Sequence, residues 1–504
     1  MKPNYRKLLL SLFFATVFIT VNAQTFKQIN IEIEADSISE LEAHPYTNDD
    51  VIGNFIVDGL RFDTVDIHYR GAYYLFQLMK KGALRNWKIK TSKYQKFENR
   101  REWNFNYENY IRQNLAYHVF REAGVPCVSS ENVILSVNGR RKGLYLKYED
   151  PDNKDWLGET FGDDEGDLYK AAFDMPSQEK FFADLTYLGD NDEDYFLHYR
   201  KQTNKKGAKE FDYSSIRAFI SLINHTPDEE FEATIAENFD VDEFIRYLVI
   251  SNFIANWDSY PFRPKNYFLY NNPDDKKWHF IPWDLDGTFQ EIGGRNPIKT
   301  TGSVFHYFDG IDPYNSTPTE PLDRPLVWRM MEVERFRNQY IYEYQQATET
   351  FLSVSYLNEV IDSIQSGVEQ NTSGTELSDF KSDVSITRNF ITKRHAIVVN
   401  ELDDFEVEKP VAINELFIKK QTKLRLFPNP AKNYVNILLP VCNQGKVQIH
   451  IKNLTGQSVF SSTKICDASD KIFRMDLINI PVGSYIVNVK SDCAVYSAKL
   501  IVIN

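Results

Sequence analysis

The 504-residue chain contains little cysteine, and its nine histidines follow no metal-ligand spacing. The spacing of the cysteines matches no zinc-binding pattern. One disulfide among the last three cysteines and buried free thiols are both compatible with their positions. The four cysteines are Cys127, Cys442, Cys466 and Cys493.

Positive charge is in deficit. Lys and Arg number 58 against 71 Asp and Glu, which gives a formal net charge of −13. A nucleic-acid partner requires clustered Lys and Arg at the phosphates. The basic clusters at residues 99–102 and 138–143 are short enough to be solvated turns. The composition therefore argues against nucleic-acid binding.

Long apolar runs are absent except at the N-terminus. There, Lys2, Arg6 and Lys7 precede an apolar run over residues 8–21, and a small residue stands just before Gln24. This pattern is typical of a secretory signal peptide, and the run is short for a membrane helix, which needs about 20 residues. We expect residues 1–23 to be a signal peptide and the mature chain to be exported without a transmembrane segment.

The pattern of apolar residues divides the rest of the chain into two regions. Up to residue 400, strand-like alternation and helical spacing are mixed, with a hairpin predicted over residues 132–149 and a capped apolar helix over 241–257. Residues 401–421 have the composition of a linker. From 422 to 504, short strands recur at about 8–12-residue spacing, which predicts a small β-sandwich.

The stretch Trp-His-Phe-Ile-Pro-Trp-Asp-Leu-Asp-Gly-Thr-Phe, residues 278–289, ends an apolar strand on Asp284, Asp286 and a glycine. Residues 266–271 and 277–282 are predicted to pair as a hairpin, with His279 a packed or surface-facing strand residue. The start of the first strand and the end of the second then lie side by side, so Asn266, Asp284 and the preceding loop residue Asp258 should meet.

Carboxylate and amide oxygens suit a hard cation such as Mg²⁺. Protein kinases arrange a catalytic Asp, a nearby Asn, a hairpin and a metal-binding Asp in this order, although the gap between Asp258 and Asn266 is longer than in their catalytic loop. Two other interpretations stay open. Asp284 and Asp286 would cap a turn in one, and would belong to a calcium loop in the other, for which Gln290 and Glu291 come too early.

Several segments in this order resemble the CotH-type, or spore-coat, atypical protein kinases over roughly residues 50–370. The resemblance implies a divergent, two-lobed kinase-like α+β domain over residues 24–400. It also implies Ser/Thr kinase activity with ATP and Mg²⁺ or Mn²⁺. The matching segments are Arg70-Gly71, 85–90, 111–126, 137–149, 167–172, 256–270, 281–289 and 325–337.

The resemblance also implies roles for individual residues. Asp258 would be the catalytic base, Asn266 and Asp284 the metal ligands, and Asp286 a second acidic group. Lys88 and Lys90 lie two residues apart and so share one face of their strand. Either would be the phosphate-binding lysine, and Glu149 would orient the one that binds. The candidates for contact with the nucleotide are Arg70, Lys88, Lys90, Glu149 and Lys170.

The C-terminal region, residues 422–504, resembles the type A sorting domain of type IX secretion. The motif Phe427-Pro428-Asn429-Pro430 and the final strand carry this resemblance. It implies an immunoglobulin-like sandwich that the secretion machinery recognises, and a secreted or cell-surface location. A plain adhesion module is the alternative.

Two functional hypotheses follow. One is an exported kinase that phosphorylates secreted or surface proteins. The other is a catalytically weak, kinase-like surface scaffold or adhesion protein, which the bulky turn at residues 72–76 favours because the family has a small turn there. Hydrolase classes are weaker, since Gly-x-Ser-x-Gly and His-Glu-x-x-His motifs are missing and nothing specific points to a paired-carboxylate glycosidase.

Overall fold

The fold is taken from a computed structural model. It describes residues 26–45, 49–71, 84–107, 110–171, 183–291, 299–305, 324–407, 424–438, 445–453, 458–466, 472–490 and 495–503. The predicted signal peptide, the turn at 72–76, most of the predicted linker, and Cys442 and Cys493 lie outside these ranges. No helix within them is long and apolar enough to cross a membrane.

The N-terminal part is a closed barrel of seven strands in the order β1-β2-β3-β4-β5-β7-β6. Inward-facing apolar residues alternate along β2 and β3, which is the pattern of strands with one buried face. The predicted hairpin over residues 132–149 is confirmed as β6 and β7. The strands are β1 Gln28–Ile33, β2 Val51–Val57, β3 Leu60–Arg70, β4 Asn86–Lys90, β5 Glu102–Asn106, β6 Ser130–Val137 and β7 Arg140–Tyr148.

Helices and a small sheet form the next part around a second, larger core. The sheet has the order β11-β10-β8-β9, with strands β8 Asp167–Ala171, β9 Tyr199–Lys201, β10 Tyr267–Asn272 and β11 Lys277–Pro282. Short 3₁₀ turns span Asp192–Tyr195 and Gly207–Phe211. Helix α1, Ala35–Ala43, packs on the barrel core through Leu41. The other helices are α2 Tyr110–Glu122, α3 Lys154–Phe161, α4 Ser214–His225, α5 Asp228–Asn238, α6 Val241–Phe253, α7 Pro325–Glu332, α8 Glu334–Glu349, α9 Val354–Asn371 and α10 Gly374–Leu402.

Helix α6 and the β10–β11 hairpin were both predicted from sequence, and the structure confirms them. The Asp240 side chain caps α6 by accepting a hydrogen bond from the Glu243 amide at 3.0 Å. Tyr267 pairs with Pro282, and Asn272 pairs with Lys277. The helix therefore delivers the chain to the loop before β10, and the hairpin returns it to the same place.

The long helix α10 links the barrel to the helical part. The Glu376 carboxylate, near the start of α10, accepts a hydrogen bond from the Leu144 amide at 2.5 Å and pairs with Arg141 at 2.6 Å. Farther along, fully buried Arg394 binds the Asn252 side chain at 2.5 Å, close to the end of α6. These contacts place the end of α6 relative to the barrel strand β7.

The C-terminal part consists of two antiparallel sheets, ordered β12-β13-β16 and β15-β14-β17-β18. The predicted fold class, in which helices and mainly antiparallel sheets are followed by an all-β region, is confirmed. The immunoglobulin-like arrangement of the C-terminal sheets stays a prediction. The strands are β12 Arg425–Phe427, β13 Tyr434–Leu438, β14 Gly445–Asn453, β15 Ser458–Cys466, β16 Ile472–Asp476, β17 Gly483–Lys490 and β18 Val495–Val502.

Candidate active site

Asp258 lies in the loop after α6 and is only 8% exposed. Its carboxylate pairs with Lys265 at 2.6 Å and with Arg263 at 3.3 Å. The side-chain amide of Asn266 donates to both the Asp258 carboxylate, at 3.0 Å, and its backbone carbonyl, at 2.9 Å. The structure thus brings two of the predicted site residues into direct contact.

Asn266 and Asp284 lie at the same end of the β10–β11 hairpin, where the amide of Trp283, the residue before Asp284, donates to the Asn266 carbonyl at 3.0 Å. Both have left-handed backbones, with φ of 58° and 52°. Asn and Asp tolerate this conformation better than other residues, and such strain concentrates at functional sites. We call Asp258, Asn266 and Asp284 the cleft end of the hairpin.

Two residues of the cleft end, Asn266 and Asp284, have side-chain oxygens that no described residue bonds. The Asn266 amide nitrogen is turned toward Asp258, and its side-chain oxygen accepts no hydrogen bond from a described residue. Among the described residues, the Asp284 carboxylate forms no hydrogen bond or ion pair, although it interacts electrostatically with Arg70 and Lys170. These are the donor types that Mg²⁺ prefers, so the residues fit a divalent cation.

Close packing between two loops explains the glycine at position 287. A Cβ atom at this position would lie 2.9 Å from Trp257 Nε1 and 3.4 Å from Asp258 Cβ. The Phe289 amide then donates to the Ile254 carbonyl at 2.7 Å, at the end of α6. The loop after β11 is therefore packed directly on the Asp258 loop, with half-buried Asp286 between Asp284 and the glycine.

Arg70 and Lys170 supply positive charge opposite Asp284. Arg70, at the end of β3, binds the Asn106 side chain at 2.9 Å and the Tyr148 hydroxyl. Lys170, on β8, lies over the Trp283 ring at 5.4 Å and forms no ion pair with a described residue. Burial and the nearby Arg70 lower its pKa, while Asp150 and Asp284 oppose that shift. An anionic ligand would relieve this crowding of positive charge.

Lys88 and Lys90 share a strand face, and both pair with Glu102, at 2.9 and 2.8 Å. Lys88 also pairs with Asp150 at 2.9 Å. Burial disfavours the charged form of Lys88, but its carboxylate neighbours outweigh burial and raise its pKa. Lys90 is the more exposed of the two, at 38% of its side chain.

The predicted role of Glu149 is corrected by the structure. Its carboxylate is bound to the Arg100 guanidinium and to the Ser129 hydroxyl, not to either lysine. The next residue, Asp150, contacts Lys88 instead. Side chains of consecutive residues point in opposite directions in extended chain, which is why the one-residue error changes the partner.

The opposite end of the hairpin holds a second polar cluster, which we call the turn end: Asp240, Glu243, Asp275 and His279. Fully buried His279 binds Glu243 through Nδ1 and Asp275 through Nε2, each at 3.0 Å. Burial disfavours its charged ring, but the two carboxylates outweigh burial and raise its pKa to about 9. The two carboxylates therefore favour the charged form of His279, which lies buried in β11, in line with its prediction as a packed strand residue.

Sequence reasoning missed several residues of the site. Lys265 directly precedes Asn266, and that adjacency was an available signal for a cation beside Asp258. Asp150 and Tyr148 are the immediate neighbours of Glu149, to which the prediction assigned the contact with the lysine. Buried Arg324, whose Nε donates to the Tyr260 carbonyl at 2.7 Å and so holds the Asp258 loop, had no local signal because it lies 64 residues away.

Comparison with known families finds two matches. Residues 67–398 match the family model described as CotH kinase protein. Residues 425–503 match the model described as Secretion system C-terminal sorting domain. The first match spans more than half of the chain, and the second supports a secreted or cell-surface location that involves secretion machinery.

Curated relatives and one solved structure are also similar. Inner spore coat protein H of Bacillus subtilis (strain 168) is 23% identical over 330 residues, which cover 64% of this chain and 82% of that protein. Invasin CotH3 of Rhizopus delemar is 26% identical over 203 residues, 39% of this chain and 31% of the invasin. A Helicobacter pylori proinflammatory kinase, CtkA, aligns over 65% of this chain and 95% of its own length, with 8% identity and a TM-score of 0.26.

Proposed function

This chain belongs to the CotH kinase protein family, and on that premise we propose that it is an exported protein kinase. It would transfer the γ-phosphoryl group of ATP to Ser or Thr hydroxyls of secreted or surface proteins, with Mg²⁺ or Mn²⁺. The observation that carries the proposal is the cleft end, where a buried Asp, an Asn and an Asp converge beside a lysine and an arginine.

In this proposal Asp258 would receive the proton of the acceptor hydroxyl. Its carboxylate is held by Lys265 and by the Asn266 amide, so its orientation is set before a substrate arrives. A positioned general base contributes roughly 10²–10⁴-fold to such a transfer.

Asn266 and Asp284 would hold the cation, with Asp286 as a further acidic group. When bound, Mg²⁺ or Mn²⁺ neutralises the charge of the phosphates. Arg70 and Lys170 would bind phosphate oxygens, since both face Asp284 and Lys170 has no ion-pair partner among the described residues. Lys88 is a weaker candidate in this conformation because its ammonium group is already paired with Glu102 and Asp150.

The export route supports a protein substrate outside the cytoplasm. The sorting-domain match at residues 425–503 supports recognition by the type IX secretion machinery, as a type A domain. The N-terminal pattern predicts prior export by a signal peptide, removed before Gln24. The kinase and the sorting domain are then parts of one exported protein with the domain limits 24–400 and 422–504.

The test is calorimetric titration of ATP into the chain from Gln24 onward, with Mg²⁺ or Mn²⁺ present. We expect binding that requires the metal and weakens more than tenfold in Asp284→Ala. Glu230→Ala, which removes an exposed carboxylate on α5, is the matched control and should bind like the natural chain. Absence of ATP binding with either metal would reject the ATP kinase.

A surface scaffold or adhesion protein is the second candidate. Two similar proteins of Rhizopus delemar bear the name invasin, CotH3 and CotH2. The chain spans only 31% and 30% of their lengths, so their name gives weak support for the same role in this protein. A chain that fails to bind ATP but binds host or neighbouring cell surfaces would favour this candidate.

A further inference from the structure

A second group of carboxylates lies where the barrel meets α3, within electrostatic range of Arg70 and Lys170. Glu102 begins β5, and Asp150 and Asp152 follow the end of β7, which pairs with β5 through Asn104 and Tyr148. One oxygen from each of the three carboxylates lies within 4.8 Å of the others. Ligand oxygens around one cation, at about 2.0–2.6 Å from it, lie no more than about 5 Å apart. We call Glu102, Asp150 and Asp152 the barrel-end carboxylates.

An unsatisfied amide points to a missing ligand at this position. Asn104 is fully buried, and its Nδ2 lies 3.4 Å from an Asp150 oxygen and 3.4 Å from the Glu149 carbonyl, both long contacts. Its side-chain oxygen has no hydrogen-bond partner. A buried orphan acceptor costs free energy. Rotating the amide by half a turn would bring this oxygen beside Asp150, where a cation between the two oxygens would satisfy both.

One of the three carboxylates has no cationic partner among the described residues. Glu102 pairs with Lys88 and Lys90, and Asp150 pairs with Lys88, but Asp152 forms no ion pair with a described residue. The Lys88 ammonium, 2.9 Å from both Glu102 and Asp150, holds the position between them.

We propose that the barrel-end carboxylates and the Asn104 side-chain oxygen form a divalent-cation site, distinct from the cleft end, at which the cation displaces the Lys88 ammonium. An all-oxygen donor set selects a hard cation of the Mg²⁺, Mn²⁺ or Ca²⁺ class. The displaced Lys88 then becomes free to meet an anionic ligand in the cleft, since it lies within electrostatic range of Lys170. The cation site itself does not require the chain to be a kinase.

The experiment titrates Mn²⁺ alone, without nucleotide, into the chain from Gln24 onward and counts bound ions by electron paramagnetic resonance. All proteins carry Asp284→Asn, which disables the cleft end. We expect this background to bind one Mn²⁺ per chain. Adding Asp152→Asn should weaken binding at least tenfold, and adding Lys88→Met should tighten it at least threefold because the competing ammonium is gone.

Asp155→Asn is the matched control, since Asp155 lies three residues from Asp152 but pairs with Lys96 at 2.5 Å; it should leave Mn²⁺ binding unchanged. Glu102→Gln replaces Asp152→Asn if circular dichroism shows that the latter is unfolded. The proposal is overturned if the background binds no Mn²⁺, if Asp152→Asn binds as the background does, or if Lys88→Met weakens binding. Loss of ATP binding would not affect these outcomes, so the two proposals fail separately.

Discussion

The two ends of the β10–β11 hairpin carry similar residues and behave in opposite ways. At the turn end, Glu243 accepts hydrogen bonds with both oxygens and His279 uses both ring nitrogens. At the cleft end, Asn266 keeps a side-chain oxygen unused by the described residues, and Asp284 has no direct partner among them. Both ends are joined by α6, which starts at one and finishes at the other.

The difference shows that a cluster of acidic residues does not identify a functional site. Buried charges are stable when they are paired and hydrogen-bonded. The turn end meets this condition internally and holds the helix on the hairpin. The cleft end has left-handed backbones and incompletely bonded oxygens, features that are costly unless a ligand uses them.

The largest effect is expected from disabling the cleft end. Asp258→Asn keeps the size of the side chain but removes the base, so the rate of phosphoryl transfer should fall by about 10²–10⁴-fold. ATP binding should stay within a few-fold, because Asp258 is not assigned to hold the nucleotide. Transfer rates and calorimetric affinities measured on one preparation check both parts. A transfer rate unchanged by the substitution would remove Asp258 from the mechanism.

Breaking the turn end should reduce stability rather than nucleotide chemistry. His279→Gln leaves Glu243 and Asp275 without their shared cation, and removing one partner of a buried ion pair costs about 3–5 kcal/mol. Urea unfolding measures the loss. His225→Gln, at an exposed histidine of α4, should change the unfolding free energy by less than about 0.5 kcal/mol. Equal effects of the two substitutions would contradict the structural role of the turn end.

The same pair has a pH signature. The pKa of His279 is raised from 6.5 to about 9 on folding, so its stabilisation is fully present below pH 6.5 and is lost as pH rises through about 9. The difference in unfolding free energy between the natural chain and His279→Gln should therefore shrink over this window. Urea titrations across it give the curve, and a difference that grew with pH would show that the histidine is neutral in the folded state.

The smallest effect concerns the contact between the two loops of the cleft end. Gly287→Ala places a methyl group against Trp257 and Asp258, and such overpacking costs about 1–3 kcal/mol. We expect a lower transfer rate together with this modest loss in thermal unfolding. Gly158→Ala, in helix α3, is the control, because a Cβ atom at position 158 would meet only Asp164 Cβ, at 3.8 Å. If both alanines behave alike, the close approach at Gly287 is not what positions the loops.

Local features of the site followed from sequence because they depend on near neighbours. The cap of α6 requires only Asp240 and Glu243, and the hairpin requires only two apolar strands and a short turn. Once these were predicted, antiparallel pairing put Asn266 and Asp284 at one end of the hairpin, and the position of Asp258 in the loop before β10 put it within reach of that end. Helix α10 was missed, although it is among the elements that connect the barrel to the helical part.

Contacts between distant segments could not be read in this way. Lys88 and Asp150 are 62 residues apart, and Arg324 is 64 residues from the carbonyl that it holds. Which carboxylate reaches a lysine depends on the register of β5 against β7, and a shift of one residue exchanges Glu149 for Asp150. Propensity and periodicity do not set that register.

The sequence by itself determined the elements of the cleft end and their order, since helix caps, hairpins and turns are decided by residues close along the chain. Tertiary structure alone decided which charges face one another: Arg70 and Lys170 toward Asp284, Lys88 toward Asp150, and His279 between two carboxylates. The physical reason is that electrostatic interactions depend on distance and burial across the cleft, and both are fixed only when the barrel packs against the helices.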